Sequence, residues 1–136
     1  GGFMLGLNLK VLGAEALIKK LGKETIQTPL AEGIRKITLW LDRLVKQSTP
    51  VGISGRLRSS IYSEVFPLYG KVGTIVTYAP FVEYGTKNME ARHVEAGSST
   101  RILGQGMFSY SLEKLKEAVP EHLKEIAGKI TAQWKF

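Results

Sequence analysis

Leu30, Ile34, Ile37, Leu41, Leu44 and Val45 recur at three- and four-residue steps, so a helix over this stretch carries one continuous apolar stripe. Glu32, Lys36, Asp42, Arg43 and Lys46 fall largely off it. Apolar surface gains about 25 cal/mol per Å² on leaving water, so a stripe of this length demands a packed partner. Thr28-Pro29 reads as the start, with Thr28 as N-cap and Pro29 at the first helical position. Ser48-Thr49-Pro50 reads as the end, because a residue before proline leaves the helical region.

The partner is legible on both sides of that helix. Leu5, Leu7, Leu9 (or Val11) and Leu12 fall partly on a two-residue period, which predicts a short strand over residues 5–12. Ala14, Leu17, Ile18 and Leu21 return to helical spacing, in a helix that Gly22 weakens. After Pro50 the chain can bend at Gly52 and Gly55. Ile61, Ser63 and Val65, then Val72, Thr74 and Val76, predict a β-hairpin turning at Pro67-Leu68-Tyr69-Gly70. Gly73 inside the second run predicts a bulge or a close backbone approach. Residues 87–106 are polar and glycine-rich with little periodicity, which predicts a long mobile loop. Phe108, Leu112, Leu115 and Val119, then Leu123, Ile126, Ile130 and Trp134, continue a helical stripe to the end, broken or kinked at Pro120.

The expected fold is therefore α+β. A small, hairpin-based antiparallel sheet is covered by a long helix from the N-terminal half and by a C-terminal helix. At 136 residues this is one domain, residues 1–136, and 43% hydrophobic against 23% charged residues is an ordinary globular balance. No apolar run approaches the roughly 18–20 residues that a spanning helix needs. The apolar start, Phe3-Met4-Leu5-Gly6-Leu7, has no basic residue ahead of it and lacks the layout of a secretory signal.

Chemistry is hard to find. The chain has no cysteine, which excludes disulfides, thiolate zinc sites, iron–sulfur clusters and cysteine nucleophiles. Glu90-Ala91-Arg92-His93 has the spacing used in di-iron helices, but such sites need two pairs and further carboxylates. The expected reading is a solvent-exposed polar pair. Gly104-Gln105-Gly106 lacks the remainder of a dinucleotide fingerprint. Ser54, Ser59 and Ser60 have neither a nearby histidine nor a nucleophile-elbow pattern. The expectation is a protein that is not an enzyme, with no cofactor, no metal and no small-molecule substrate. A net charge of +7 is spread along the chain without a basic tail. Gly55-Arg56-Leu57-Arg58-Ser59-Ser60 is the best polyanion contact, since Arg56 and Arg58 share a side if the segment is extended. Ordinary surface ion pairs are the alternative for both arginines.

Two blocks carry a family likeness. The first is Thr49-Pro50-Val51, two further positions, and Ser54-Gly55-Arg56-Leu57-Arg58-Ser59-Ser60-Ile61; the second is Tyr78-Ala79-Pro80-Phe81-Val82-Glu83-Tyr84-Gly85-Thr86. In this order, around a glycine-containing strand, they resemble the gene-product-ten-like tail-component family of tailed phages and prophages, small neck or tail-completion proteins of long-tailed phages. The first block departs from the family pattern by one extra residue and by Gly52-Ile53-Ser54 where an aspartate-threonine pair is usual. The family's proline-phenylalanine-leucine lead-in to the last helix is absent, and Met107-Phe108-Ser109-Tyr110-Ser111-Leu112 is the nearest equivalent.

The resemblance implies a structural virion protein for head–tail joining or tail completion. It would form an oligomeric ring around the DNA channel, assembled in the bacterial host cytoplasm and resident in the neck or tail. Its partners would be other copies of itself, neighbouring neck or tail proteins, and DNA in nonspecific contact; no membrane is implied. Self-association is expected on Tyr78, Phe81, Glu83, Tyr84, Gly85 and Thr86, with Phe81 and Tyr84 as anchors. Phe81 and Val82 equally fit a plug for the domain's own core. Glu83 is expected to meet an arginine, from an adjacent subunit or from Arg56 or Arg58 of its own chain. Arg56 and Arg58 would face a neighbour's carboxylates or the DNA channel. The competing reading is a small basic nucleic-acid-binding module.

Overall fold

The computed structural model describes residues 3–11, 13, 16, 19, 23–52, 55–119 and 130–135. Strand β1, Leu5–Val11, runs through the middle of a four-stranded antiparallel sheet. Helix α1, Lys23–Ser48, packs on the sheet, and its end is followed by the short helix α2, Arg56–Ser60. The hairpin of β2, Tyr62–Val65, and β3, Tyr69–Thr74, comes next, then the short helix α3, Ala79–Tyr84. A second, two-stranded sheet joins β4, Arg92–Val94, to β5, Arg101–Leu103. Helix α4, Met107–Ala118, and strand β6, Ile130–Lys135, complete the order. The large sheet has the spatial order β2-β3-β1-β6. The fold is α+β, with a long helix packed on a small antiparallel sheet and a helix of the C-terminal half packed against that helix.

The core follows the stripes. Leu5, Leu7 and Leu9 of β1 meet Ile37, Leu41 and Val45 of α1, all at most 1% exposed. Helix α4 lies against α1, α3 and β4 and adds Met107, Phe108 and Leu115 to the same cluster. Leu30 and Ile34 form a smaller cluster with Val11. At the edge strand β2, Ser63 Oγ donates to Asp42 Oδ2 at 2.8 Å and ties the hairpin to α1.

The strands approach α1 and one another closely at glycines. Gly73 stands opposite Gly6, and a Cβ on Gly73 would meet the Leu5 carbonyl oxygen at 2.6 Å, so the expected close approach is present. A Cβ on Gly70 would fall within 2.9 Å of three Thr38 side-chain atoms in the middle of α1. Gly70→Ala should therefore push the helix off the hairpin, at a cost of about 1–3 kcal/mol. Chemical denaturation would read it, and the double variant with Thr38→Ala should recover much of the loss; no recovery would place the strain elsewhere.

Four expectations are corrected. The long helix starts at Lys23, six residues ahead of Pro29. Proline at an interior position removes one N–H and adds a ring without always ending a helix, and the helix runs through Pro29. Residues 87–106 contain the β4–β5 hairpin, whose three-residue strands are too short to register as a period. Arg56–Ser60 is helical, so the two arginines are not displayed by an extended chain. Residues 130–135 form a strand on the open edge of β1, with Gly6 opposite Lys135 and Val11 opposite Ile130. Ile130, Ala132 and Trp134 alternate as well as they fit a helix, and the buried strand β1 decides between the two periods. Helix α4 ends at Ala118 with Val119 extended, as Pro120 requires. Ala14, Leu17, Ile18 and Leu21 of the expected helix, and the stripe at Leu123 and Ile126, lie outside the described residues.

Candidate functional site

The first sequence block is fastened to α1 at its start and closed on itself by Arg58. Thr49 Oγ1 donates to the Val45 carbonyl at 2.6 Å, and the Arg58 guanidinium donates to the Thr49 carbonyl through Nε at 3.2 Å and Nη2 at 2.9 Å. Between them the chain turns through Gly52 and Gly55, each with φ of 65°, a left-handed conformation suited to glycine. Leu57 of α2 is buried, and Arg56 is exposed at the start of that helix.

The second block divides into inward and outward residues. Ala79 and Val82 are core, whereas Tyr78, Phe81 and Tyr84 are exposed, Phe81 by 56%. Of the two roles open to Phe81 and Val82, Val82 plugs the core and Phe81 forms the crest of an aromatic ridge. Glu83 does not meet an arginine of its own chain: it is only 3% exposed and turns inward to the first turn of α4. Its Oε1 accepts from the Phe108 amide at 2.8 Å and the Ser109 amide at 3.0 Å, and its Oε2 accepts from Ser109 Oγ at 3.3 Å. A helix's first amides lack intrahelical acceptors, so a carboxylate there supplies what the chain cannot. Gly106 leaves the space that the carboxyl fills. Burial nonetheless raises the Glu83 pKa to about 7, against the lowering effect of the Ser109 and Phe108 hydrogen bonds. The Tyr84 phenol is also pushed up, by burial first and then by the Glu83 charge. Gly85, with φ of 80°, ends α3, and the Thr86 hydroxyl accepts from the Asn88 and Met89 amides in a tight turn.

His93 is not in a solvent-exposed pair. It is buried in β4, stacks on Tyr110 with ring centroids 3.9 Å apart, and has Nδ1 at 2.7 Å from the Gln105 carbonyl. A carbonyl only accepts, so Nδ1 carries the proton. Lys114 Nζ lies 5.5 Å from the centroid of the Tyr110 ring. Among the described residues no three histidine, aspartate or glutamate side chains gather as metal ligands. No helix among them is long and apolar enough to cross a membrane.

The two sequence blocks and the β4–β5 hairpin meet at one place. A cleft of about 660 Å³ opens between the 50–52 turn and the hairpin, with Arg58, Val94 and Arg101 on its walls. A smaller recess of about 320 Å³ shares Pro50, Val51, Gly52 and Arg101 and reaches Leu57, Val82 and Arg92, with Tyr78 at its side. Arg92 and Arg101 were missed by the sequence reading, because only the hairpin register brings them together. Arg101 pairs with Val94 and Arg92 with Leu103, which sets the two arginines diagonally on one face of the ribbon. Burial, and then the Arg101 charge, pulls the Arg92 pKa below its ordinary value.

Comparison of the chain with protein-family models, with curated proteins and with solved structures finds no match. The fold and the site thus define an α+β domain with an aromatic ridge beside an arginine-walled cleft.

Proposed function

We propose that this chain is a structural protein of a tailed-phage virion, acting in head–tail joining or tail completion as a subunit of an oligomeric ring around the DNA channel. One observation carries the reading. The two segments that resemble the phage family, residues 49–61 and 78–86, are separated by a whole hairpin in sequence, yet both contribute walls to the same recess. A surface built by two such segments and crested by exposed aromatics has the composition that protein interfaces favour. Self-association runs through Tyr78, Phe81 and Tyr84, while Glu83, Gly85 and Thr86 shape the helix and turn beneath them. In a ring each contact joins unlike surfaces, so the ridge of one subunit meets a different face of the next. The neighbours are further neck or tail proteins, and the place of work is the virion.

A nucleic-acid-binding module is the second reading, favoured by three arginines around the cleft and its adjoining recess. Sedimentation of the isolated protein over a wide concentration range, with DNA binding measured against salt, separates the two. The ring reading expects a monomer or weak oligomer that associates as concentration or partners are added, with shallow salt dependence on DNA. Steep loss of tight DNA binding with salt by a monomer would overturn it. Phe81→Glu should leave the fold intact and abolish the association, because it sets a charge at the centre of the apolar contact.

A further inference from the structure

We propose that the cleft between the 50–52 turn and the β4–β5 hairpin, together with the smaller recess adjoining it, is a docking site for an acidic peptide segment of a partner protein. Arg58, Arg92 and Arg101 take its carboxylates, and Val51, Leu57 and Val82 receive an apolar side chain next to them.

The arginines come from three elements, and two of them are held by backbone carbonyls. Arg58, on the cleft wall, spends two of its five N–H groups on the Thr49 carbonyl, which fixes the guanidinium plane and leaves three donors over. Arg92 has Nη1 at 3.3 Å from the Glu90 carbonyl, and the ladder of β4 and β5 holds it diagonal to Arg101. Like charges so placed repel, and surface arginines ordinarily relieve this with a nearby carboxylate. Among the described residues the ion pairs are Lys46 with Asp42 and Lys114 with Glu117, and no carboxylate lines either hollow. An anion from outside supplies the missing charge, and planar guanidinium forks suit carboxylates in bidentate geometry.

The walls decide which anion. Pro50, Val51, Leu57, Val82 and Val94 make the hollow partly apolar, and it is concave. A duplex presents phosphates on a convex, wholly polar surface that reaches basic ridges better than hollows, and it has nothing to place against valine and leucine. A peptide alternating carboxylate and apolar side chains matches both features. The inference goes beyond ring formation and holds for the isolated subunit.

The test uses fluorescently labelled peptides alternating glutamate and leucine, their glutamine counterparts, and a short DNA duplex, titrated into the Phe81→Glu protein so that ring assembly plays no part. Saturable binding of the glutamate peptides, weakened by salt and absent for the glutamine peptides, is expected. Arg92→Gln and Arg101→Gln should each weaken it about tenfold, whereas Arg56→Gln, outside the cleft walls, leaves it unchanged. Circular dichroism establishes that each variant is folded. Equal binding of both peptide sets, no binding of either, or binding that passes to the duplex and is lost in the same two variants overturns the assignment. None of these results bears on whether the aromatic ridge forms a ring.

Discussion

Glu83→Gln is expected to stabilise the protein above neutral pH and to remove a slope from its stability–pH profile. The carboxyl has an ordinary value of 4.5 and is raised to about 7 in the fold, chiefly by burial. Between those values the folded state holds a proton that the unfolded chain has released. The group's contribution is therefore fully present below about 4.5 and is lost as pH rises through about 7. The difference corresponds to about 3 kcal/mol, at 1.36 kcal/mol for each tenfold in proton affinity. Both α4 amides donate to Oε1, which a carboxamide oxygen can replace, and the new NH₂ group can donate to Ser109 Oγ. Urea unfolding at several pH values should show the native protein losing about 3 kcal/mol across this window relative to the variant. Glu83→Ala should instead be destabilised by about 2 kcal/mol in acid, because it orphans two amides at the start of α4. A glutamine variant whose profile runs parallel to the native one would refute the buried proton.

The same carboxyl marks the limit of what the sequence discloses. Alternation and helical spacing identify residues by the face they occupy, so the stripe through Ile34, Ile37 and Leu41, the β2–β3 hairpin and the stop at Pro120 could all be read in advance. Glu83 belongs to no period. It sits beside three aromatics and reads as the charge of an interface, and only the fold reveals that the first turn of α4 arrives 25 residues later to take it. Arg92 and Arg101 are hidden for a related reason. Their meeting depends on a register between two three-residue strands, and a loop of glycine and serine conceals both. Arg58 stands out in the sequence, but its orientation comes from the Thr49 carbonyl just past α1 rather than from an extended backbone. Strand β6 shows a third kind of blindness: its residues satisfy two periods, and the choice is made by the unpaired edge of β1.

Gly85→Ala is expected to be a strongly damaging single-methyl change on the site side of the molecule. Gly85 combines φ of 80° with ψ of −176°, a region that side chains of L-residues essentially do not enter. Steric crowding adds to the conformational cost. A Cβ there would approach the Met89 carbonyl oxygen at 2.6 Å and the Ala91 amide nitrogen at 2.7 Å, and backbone atoms cannot swing aside as a side chain can. Together the two effects amount to about 3 kcal/mol or more. Gly104→Ala provides the comparison: its φ of 101° is also unfavourable, but nothing lies within 4 Å of the added carbon, so the conformational cost stands alone at about 1 kcal/mol. The damage should also be directional. The Gly85–Ala91 turn delivers the chain to β4, and the Gly104 amide donates to the Ala91 carbonyl at 2.7 Å, so a displaced turn carries the hairpin and its arginines with it. Hydrogen exchange should show the Gly104 amide losing protection in Gly85→Ala well before the amides of β1 and β3 do. A variant that unfolds within about 1 kcal/mol of the parent, with the hairpin still protected, would mean that the turn relaxes freely and does not position the arginines of the cleft.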